Sequence, residues 1–105
     1  MSDLSIGLWF MANPTLLDKD FFYVYILLLK NDQFYSGLSN NLTRRIAEHR
    51  EGKVRSTRHR VPFKLIYFES YLNKKDAEKR ERYFKTTKGK RVLKLQLKNF
   101  LGGVV

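Results

Sequence analysis

Two tyrosines, one arginine and one glutamate are the residues of this chain whose types and spacing could carry out chemistry. Ten residues separate Tyr25 from Tyr35, ten more separate Tyr35 from Arg45, and Glu81 lies further along. A tyrosine hydroxyl can transfer a proton, a guanidinium can hold an oxyanion through two parallel hydrogen bonds, and a carboxylate can bind a cation. Together these groups match the needs of phosphodiester hydrolysis, which are a base for water, a cation for the phosphoryl oxygens and a metal ligand.

The tyrosines are predicted to lie on a β-hairpin. Phe21 to Leu29 is rich in aromatic and aliphatic residues, and Gln33 to Gly37 follows the turn signal Asn31-Asp32. Residues at similar distances from a hairpin turn become cross-strand neighbours, so Tyr25 and Tyr35 are expected at one end of the sheet. Ordinary aromatic packing is the alternative explanation for either tyrosine taken alone.

Arg45 and His49 are expected on one face of a helix from Leu42 to Arg50, because they are four residues apart. The arginine could clamp a phosphate with its planar fork, and the histidine could move a proton near neutral pH. The alternatives are a solvated basic helix, since Arg44 and Arg50 are close by, and a histidine that is only a surface or capping group.

Glu81 lies on an apolar stripe of a later helix, in register with Ala77 and Phe84. A carboxylate facing the sheet costs free energy unless a cation is its partner. Mg²⁺ is a suitable partner, because it commonly takes one or two protein carboxylates and keeps several waters. A buried pair with an arginine is the alternative for Glu81. Glu78 is instead predicted to share its side of the helix with Arg82 and Lys85, as a surface ion-pair partner.

The remaining pattern completes an α+β fold. A polar loop from Lys53 to Val61 precedes a strand from Phe63 to Tyr71. A helix from Lys74 to Thr87 is predicted to break at Gly89, and a last helix runs from Arg91 to Leu101. The predicted order is β-β-α-β-α-α, with a three-stranded, mainly antiparallel sheet flanked by helices.

The charge of the chain indicates a polyanionic partner. Its 105 residues contain 21 Lys and Arg against 10 Asp and Glu, a net charge of +11. Such self-repulsion favours nucleic acid as the partner, with an anionic membrane surface second. The absence of cysteine excludes disulfides, thiolate catalysis and cysteine-based zinc sites. No apolar run approaches the ~20 residues of a membrane span, so we expect a cytoplasmic protein without a membrane partner.

The predicted nucleic-acid-binding surface combines the basic loop after the Arg45 helix with cations of the last two helices. Its contacts to phosphate should weaken steeply with salt. The alternative for each basic run is a solvated charged face. The candidates are Arg44, Arg50, Lys53, Arg55, Arg58, Arg60, Lys64, Lys85 and Lys88.

The order and spacing of these motifs resemble the GIY-YIG nuclease superfamily over roughly residues 22 to 101, especially its single-domain branch. Tyr23-Val24-Tyr25 stands at the first motif, with Tyr23 in place of glycine, and Tyr35-Ser36-Gly37 stands at the second, with Ser36 in place of isoleucine. Arg45, His49 and Glu81 stand at the positions of the catalytic arginine, a frequent histidine and the metal-binding glutamate.

The resemblance implies an endonuclease that depends on Mg²⁺ or Mn²⁺ and acts on DNA, similar to the nuclease domains of excision-repair and homing endonucleases. It implies a catalytic set of Tyr25, Tyr35, Arg45, His49 and Glu81. Within that set Tyr25 is favoured as the general base, Tyr35 positions water or phosphate, and Glu81 binds the metal. Many members carry a late asparagine, for which the sequence offers only Asn99, and no role is assigned to it.

We therefore expect an N-terminal extension over residues 1–20, a nuclease domain over 21–101 and a tail over 102–105. A monomer or weak homodimer is expected, and single-stranded, duplex and branched DNA remain open as substrates. A non-catalytic nucleic-acid-binding module on the same fold is the alternative function. A basic protein bound to ribosome or membrane is the third hypothesis.

Overall fold

The computed structural model describes residues 21–102, so the predicted N-terminal extension and all but the first residue of the predicted tail lie outside the described residues. The order β-β-α-β-α-α is confirmed. The elements are β1 (Phe22–Leu28), β2 (Phe34–Ser39), α1 (Leu42–Arg50), β3 (Lys64–Tyr71), α2 (Lys74–Phe84) and α3 (Thr87–Gln96).

The sheet has the strand order β2-β1-β3, and both pairings are antiparallel. The central strand β1 is buried on both faces, which explains its continuous apolar run. On one face Val24 and Ile26 pack against α2 and α3. On the other face Tyr25 and Leu27 belong to a cluster that includes Ile46 of α1. The helices therefore lie on both sides of one sheet, and the face with α1 carries the tyrosine.

The junction of the last two helices differs from the prediction. Gly89 does not break a helix, because α2 already ends at Phe84 and Gly89 lies in the first turn of α3. Thr86 caps α3, and its side chain accepts a hydrogen bond from the Gly89 backbone N–H at 3.0 Å. A Cβ on Gly89 would be 2.0 Å from the carbonyl oxygen of Tyr83. The glycine is needed because the two helices approach closely, and not because the chain stops.

A carboxylate on β3 fixes α2 against the sheet. Glu69 accepts hydrogen bonds from the hydroxyls of Tyr67 at 2.6 Å and Tyr71 at 2.7 Å. It also accepts two from Arg80 of α2, at 2.8 and 3.0 Å. Burial alone would raise the pKa of Glu69, but these donors hold it below its ordinary value. The bidentate pair sets the orientation of α2 and so of Glu81, the next residue of that helix.

Candidate active site

The two tyrosines are diagonal neighbours across the hairpin. The register pairs Tyr25 with Gly37 and Tyr35 with Leu27, and the two tyrosine rings have centroids 6.4 Å apart. The Tyr25 ring lies over Gly37, where a Cβ would be 2.2 Å from Cζ and 2.3 Å from the hydroxyl oxygen. The glycine of the second motif therefore makes room for the tyrosine of the first.

The Tyr25 hydroxyl begins a buried chain of hydrogen bonds. It lies 2.8 Å from Nε2 of His49, whose Nδ1 lies 2.7 Å from the hydroxyl of Thr57. The Thr57 hydroxyl is directed at the carbonyl of Val54 at 3.5 Å, which leaves its lone pair to accept from Nδ1–H. We assign the tautomer on this basis, so that Nε2 accepts from the Tyr25 hydroxyl. All three side chains, Tyr25, His49 and Thr57, are fully buried.

His49 is a neutral, enclosed histidine. Burial and, to a smaller extent, the charge of Arg45 lower its pKa to about 4, and Glu48 opposes the shift. The rings of Tyr25, Tyr35 and Phe63 surround it edge-on at centroid distances of 5.6, 5.3 and 5.8 Å. The structure thus places His49 in the interior and not at the surface, and the lowered pKa keeps Nε2 unprotonated at neutral pH.

Thr57 is the site residue that sequence reasoning missed. The basic loop around it was interpreted as a solvated phosphate-binding segment, yet Thr57 and Val54 are buried at 0% and 7% exposure. Val54 and Thr57 are uncharged residues in a strongly basic stretch, and this was the sequence signal that part of the loop is buried. The loop therefore holds His49 through the hydrogen bond that His49 donates to Thr57, while the charged side chains of the loop remain exposed.

Arg45 connects this buried chain to the surface. Its side chain is 35% exposed, and its Nη1 donates to Glu48 at 3.1 Å. Burial lowers the pKa of Arg45, but its interactions with Tyr25 and Glu48 raise it overall. Burial, with smaller contributions from Tyr35 and Glu81, raises the pKa of Tyr25 to about 12, and Arg45 opposes that shift. Tyr25 is therefore protonated at neutral pH and has a cation close to its oxygen.

Tyr35 is the more accessible of the two tyrosines. Its side chain is partly exposed, whereas that of Tyr25 has no solvent exposure. The Ser56 hydroxyl donates to the Tyr35 hydroxyl at 3.4 Å, at the surface. A molecule arriving from solvent meets Tyr35 and Arg45 before it meets Tyr25.

Glu81 occupies the apolar stripe as predicted, since its neighbours Ala77 and Phe84 are 0% and 1% exposed. Its side chain is 15% exposed and pairs with Lys85 at 2.7 Å, and not with an arginine. Lys85, which was predicted to share the side of Glu78, therefore reaches Glu81 as its ion-pair partner. Within residues 21–102, no three acidic or histidine side chains group as a metal site. One hard oxygen ligand suits Mg²⁺ completed by water and phosphate, and the exposed ammonium of Lys85 can be displaced.

Comparison with known proteins decides the family. The GIY-YIG catalytic domain family matches residues 21–95 of this chain. The chain belongs to the GIY-YIG family. A UPF0213 protein of Clostridium perfringens is 49% identical over 76 residues, which cover 71% of this chain and 80% of that protein. A UPF0213 protein of Lactiplantibacillus plantarum is 39% identical over 77 residues, covering 70% and 74%. The solution NMR structure of a UPF0213 protein from Bacillus halodurans is 34% identical and covers 74% of this chain and 85% of that chain, with a TM-score of 0.49.

The cations predicted to bind nucleic acid differ in whether an acidic side chain of the GIY-YIG domain already pairs with them. Lys53 pairs with Glu51 at 2.9 Å, and Lys85 is held by Glu81. Exposed positions are occupied by Arg44, Arg50, Arg55, Arg58, Arg60, Lys64 and Lys88. No helix within residues 21–102 of the GIY-YIG domain is long and apolar enough to cross a membrane.

Proposed function

We propose that this GIY-YIG domain is a divalent-metal-dependent endonuclease that hydrolyses phosphodiester bonds of DNA. The proposal rests on one observation above all, the 2.8 Å contact between the Tyr25 hydroxyl and Nε2 of His49 beside Arg45. A tyrosine with a pKa of about 12 is a weak base by itself. With a neutral imidazole to receive its proton and a guanidinium near its oxygen, it can act as a general base.

In this mechanism Tyr25 takes a proton from the attacking water while its own proton passes to His49 Nε2. Thr57 supports the transfer, because it holds Nδ1–H and keeps the Nε2 lone pair free. Arg45 binds the phosphate and stabilises the charge that develops on its oxygens. A phosphate bound to Arg45 offsets part of its positive charge, so Arg45 then lowers the pKa of His49 less. The free imidazole is thereby made a better acceptor when substrate is present.

Tyr35 positions the water or the phosphate, since it lies diagonal to Tyr25 and reaches solvent. Glu81 is the residue that would hold Mg²⁺ or Mn²⁺. When bound, the ion supplies Lewis-acid stabilisation of the phosphoryl oxygens and lowers the pKa of water. Because Tyr25 has no solvent exposure, the attacking water can reach its hydroxyl only after substrate binding shifts a neighbouring side chain such as that of Arg45.

The test is cleavage of labelled single-stranded, duplex and branched DNA with Mg²⁺ or Mn²⁺. We expect cleavage by the protein, and a loss of about 100-fold or more for Tyr25→Phe, Arg45→Ala and Glu81→Gln. Glu78→Gln is the matched control on the same helix and should cleave normally. Full activity of Glu81→Gln would remove the metal assignment.

The same assay separates the two tyrosines. If Tyr25→Phe cleaves like the unmodified protein and Tyr35→Phe does not, Tyr35 is the base. If no DNA is cut with either metal although DNA is bound, the nuclease proposal is wrong and the non-catalytic binding module replaces it.

A further inference from the structure

A pocket of about 430 Å³ is lined in part by Arg45, and Tyr25, His49 and Thr57 are not among its lining residues. It lies where the end of β2, the first turns of α1 and the start of α2 meet. Phe22 and Leu38 provide apolar lining, while Arg44, Arg45 and Lys74 provide cations. The pocket thus combines an apolar surface with positive charge contributed by two helices.

The charge of this pocket is not balanced from within. Glu48 is its carboxylate, and that group already accepts from Arg45 at 3.1 Å. Arg44 donates to the side-chain oxygen of Asn40, a neutral group, at 3.4 Å. Within residues 21–102, Lys74 forms no ion pair. Three cations against one carboxylate leave a net attraction for an anion.

Lys74 also stands at an unfavourable place for a lysine. It is the first residue of α2, where the helix dipole is positive and acidic side chains are the stabilising ones. Asp76 in the same turn is acidic but lines a different pocket, so the dipole and Lys74 still attract anions to this one. An anion bound here would relieve the repulsion between the dipole and Lys74, and a phosphate would in addition accept hydrogen bonds from Arg44.

We propose that this pocket, here named the Lys74 pocket, binds an internal phosphate of the DNA strand next to the phosphate held for cleavage. The proposal rests on the proposed function in taking Arg45 as the contact to the reacting phosphate. Arg45 then lies between the two phosphates, Lys74 and Arg44 hold the flanking one, and Phe22 and Leu38 pack against the adjoining sugar. Lys74 is a substrate-binding residue, absent from the set of cations predicted from the sequence.

Binding of a labelled oligonucleotide, measured by fluorescence anisotropy without added metal, tests this proposal. Lys74→Ala should weaken binding about 5-fold or more at low salt and reduce the slope of log K against log salt by about 1. Lys75→Ala is the matched control, since Lys75 is also exposed, is the next residue of α2 and does not line the pocket. It should change binding less than about 2-fold. Equal losses for the two variants would overturn the proposal.

Two further measurements test whether Lys74 acts in substrate binding and whether the bound phosphate is internal or at a strand end. In the cleavage assay Lys74→Ala should raise KM and leave kcat nearly unchanged, and the reverse pattern would contradict a binding role. Lys74→Ala should weaken the binding of oligonucleotides with and without a 5′-phosphate by the same factor. If only the 5′-phosphorylated strand binds more weakly, the pocket is a site for strand ends and the proposal of an internal phosphate is wrong. Anisotropy needs no cleavage, so absent nuclease activity would leave this result standing.

Discussion

The ring of Tyr25 lies against the backbone of Gly37, so closely that a Cβ at position 37 would be 2.2 Å from Tyr25 Cζ. This contact lets the tyrosine extend across β2 and bring its hydroxyl to His49 at 2.8 Å. A residue on one strand therefore depends on the absence of a side chain on the next. The two sequence motifs of the hairpin form one steric unit.

Gly37→Ala should misplace Tyr25. The new methyl group overlaps the ring and its hydroxyl, so the bond to His49 has to break or the strands have to separate. We expect a loss of cleavage of about 100-fold or more and a loss of stability of about 1–3 kcal/mol from overpacking. Cleavage rates and urea unfolding measure the two effects. Ser36→Ala, at the preceding position, is the control, and full activity of Gly37→Ala would contradict the steric argument.

The folded protein should lose stability in mild acid through His49. Its pKa is about 4 in the fold against 6.5 when unfolded, so below 6.5 the unfolded chain binds more protons. The contribution of neutral His49 is complete above pH 6.5 and is lost as the pH falls through 4. Urea unfolding across this window should show a decline that is reduced in His49→Gln. His59→Gln, which removes an exposed histidine, should retain the full decline. An unchanged decline in His49→Gln would assign the effect to other groups.

Lys85→Met should change how much metal the protein needs. Lys85 neutralises Glu81 at 2.7 Å, so a divalent ion has to displace its ammonium. Without that competitor, the Mn²⁺ concentration for half-maximal cleavage should fall several-fold. Lys88→Met, on the next helix, should leave it unchanged. If Lys85→Met instead weakens DNA binding at an unaltered metal requirement, Lys85 has the nucleic-acid-binding role that the sequence suggested.

Local pattern was sufficient for much of the fold. The apolar run of β1, the turn at Asp32 (φ 62°) and the cap at Asn73 are short-range signals, and all appear in the structure. Gly89 was misinterpreted because a glycine required for helix contact and one that ends a helix look the same in sequence. Only the packing of α3 on α2 distinguishes them.

The sequence placed the candidate residues on the elements that carry them, but it did not reveal the environment of each side chain. Spacing placed Tyr25 and Tyr35 on neighbouring strands, but the register that sets Tyr25 over Gly37 depends on the exact turn. The burial of His49 depends on the distant segment that carries Thr57, which no helical pattern reveals. The ion pair of Glu81 with Lys85 was within reach, because those residues are four apart on a helix.

The close contact at Gly89 has a consequence for how this chain can vary during evolution. Any larger residue there would collide with the carbonyl of Tyr83 and tilt α3 away from α2. Leu93, which α3 places in the core at 0% exposure, would then leave a gap. Positions 89 and 93 are therefore coupled, and homologues that lack the glycine should carry a bulkier residue at 93. This covariation could be sought in sequences whose structures are unknown.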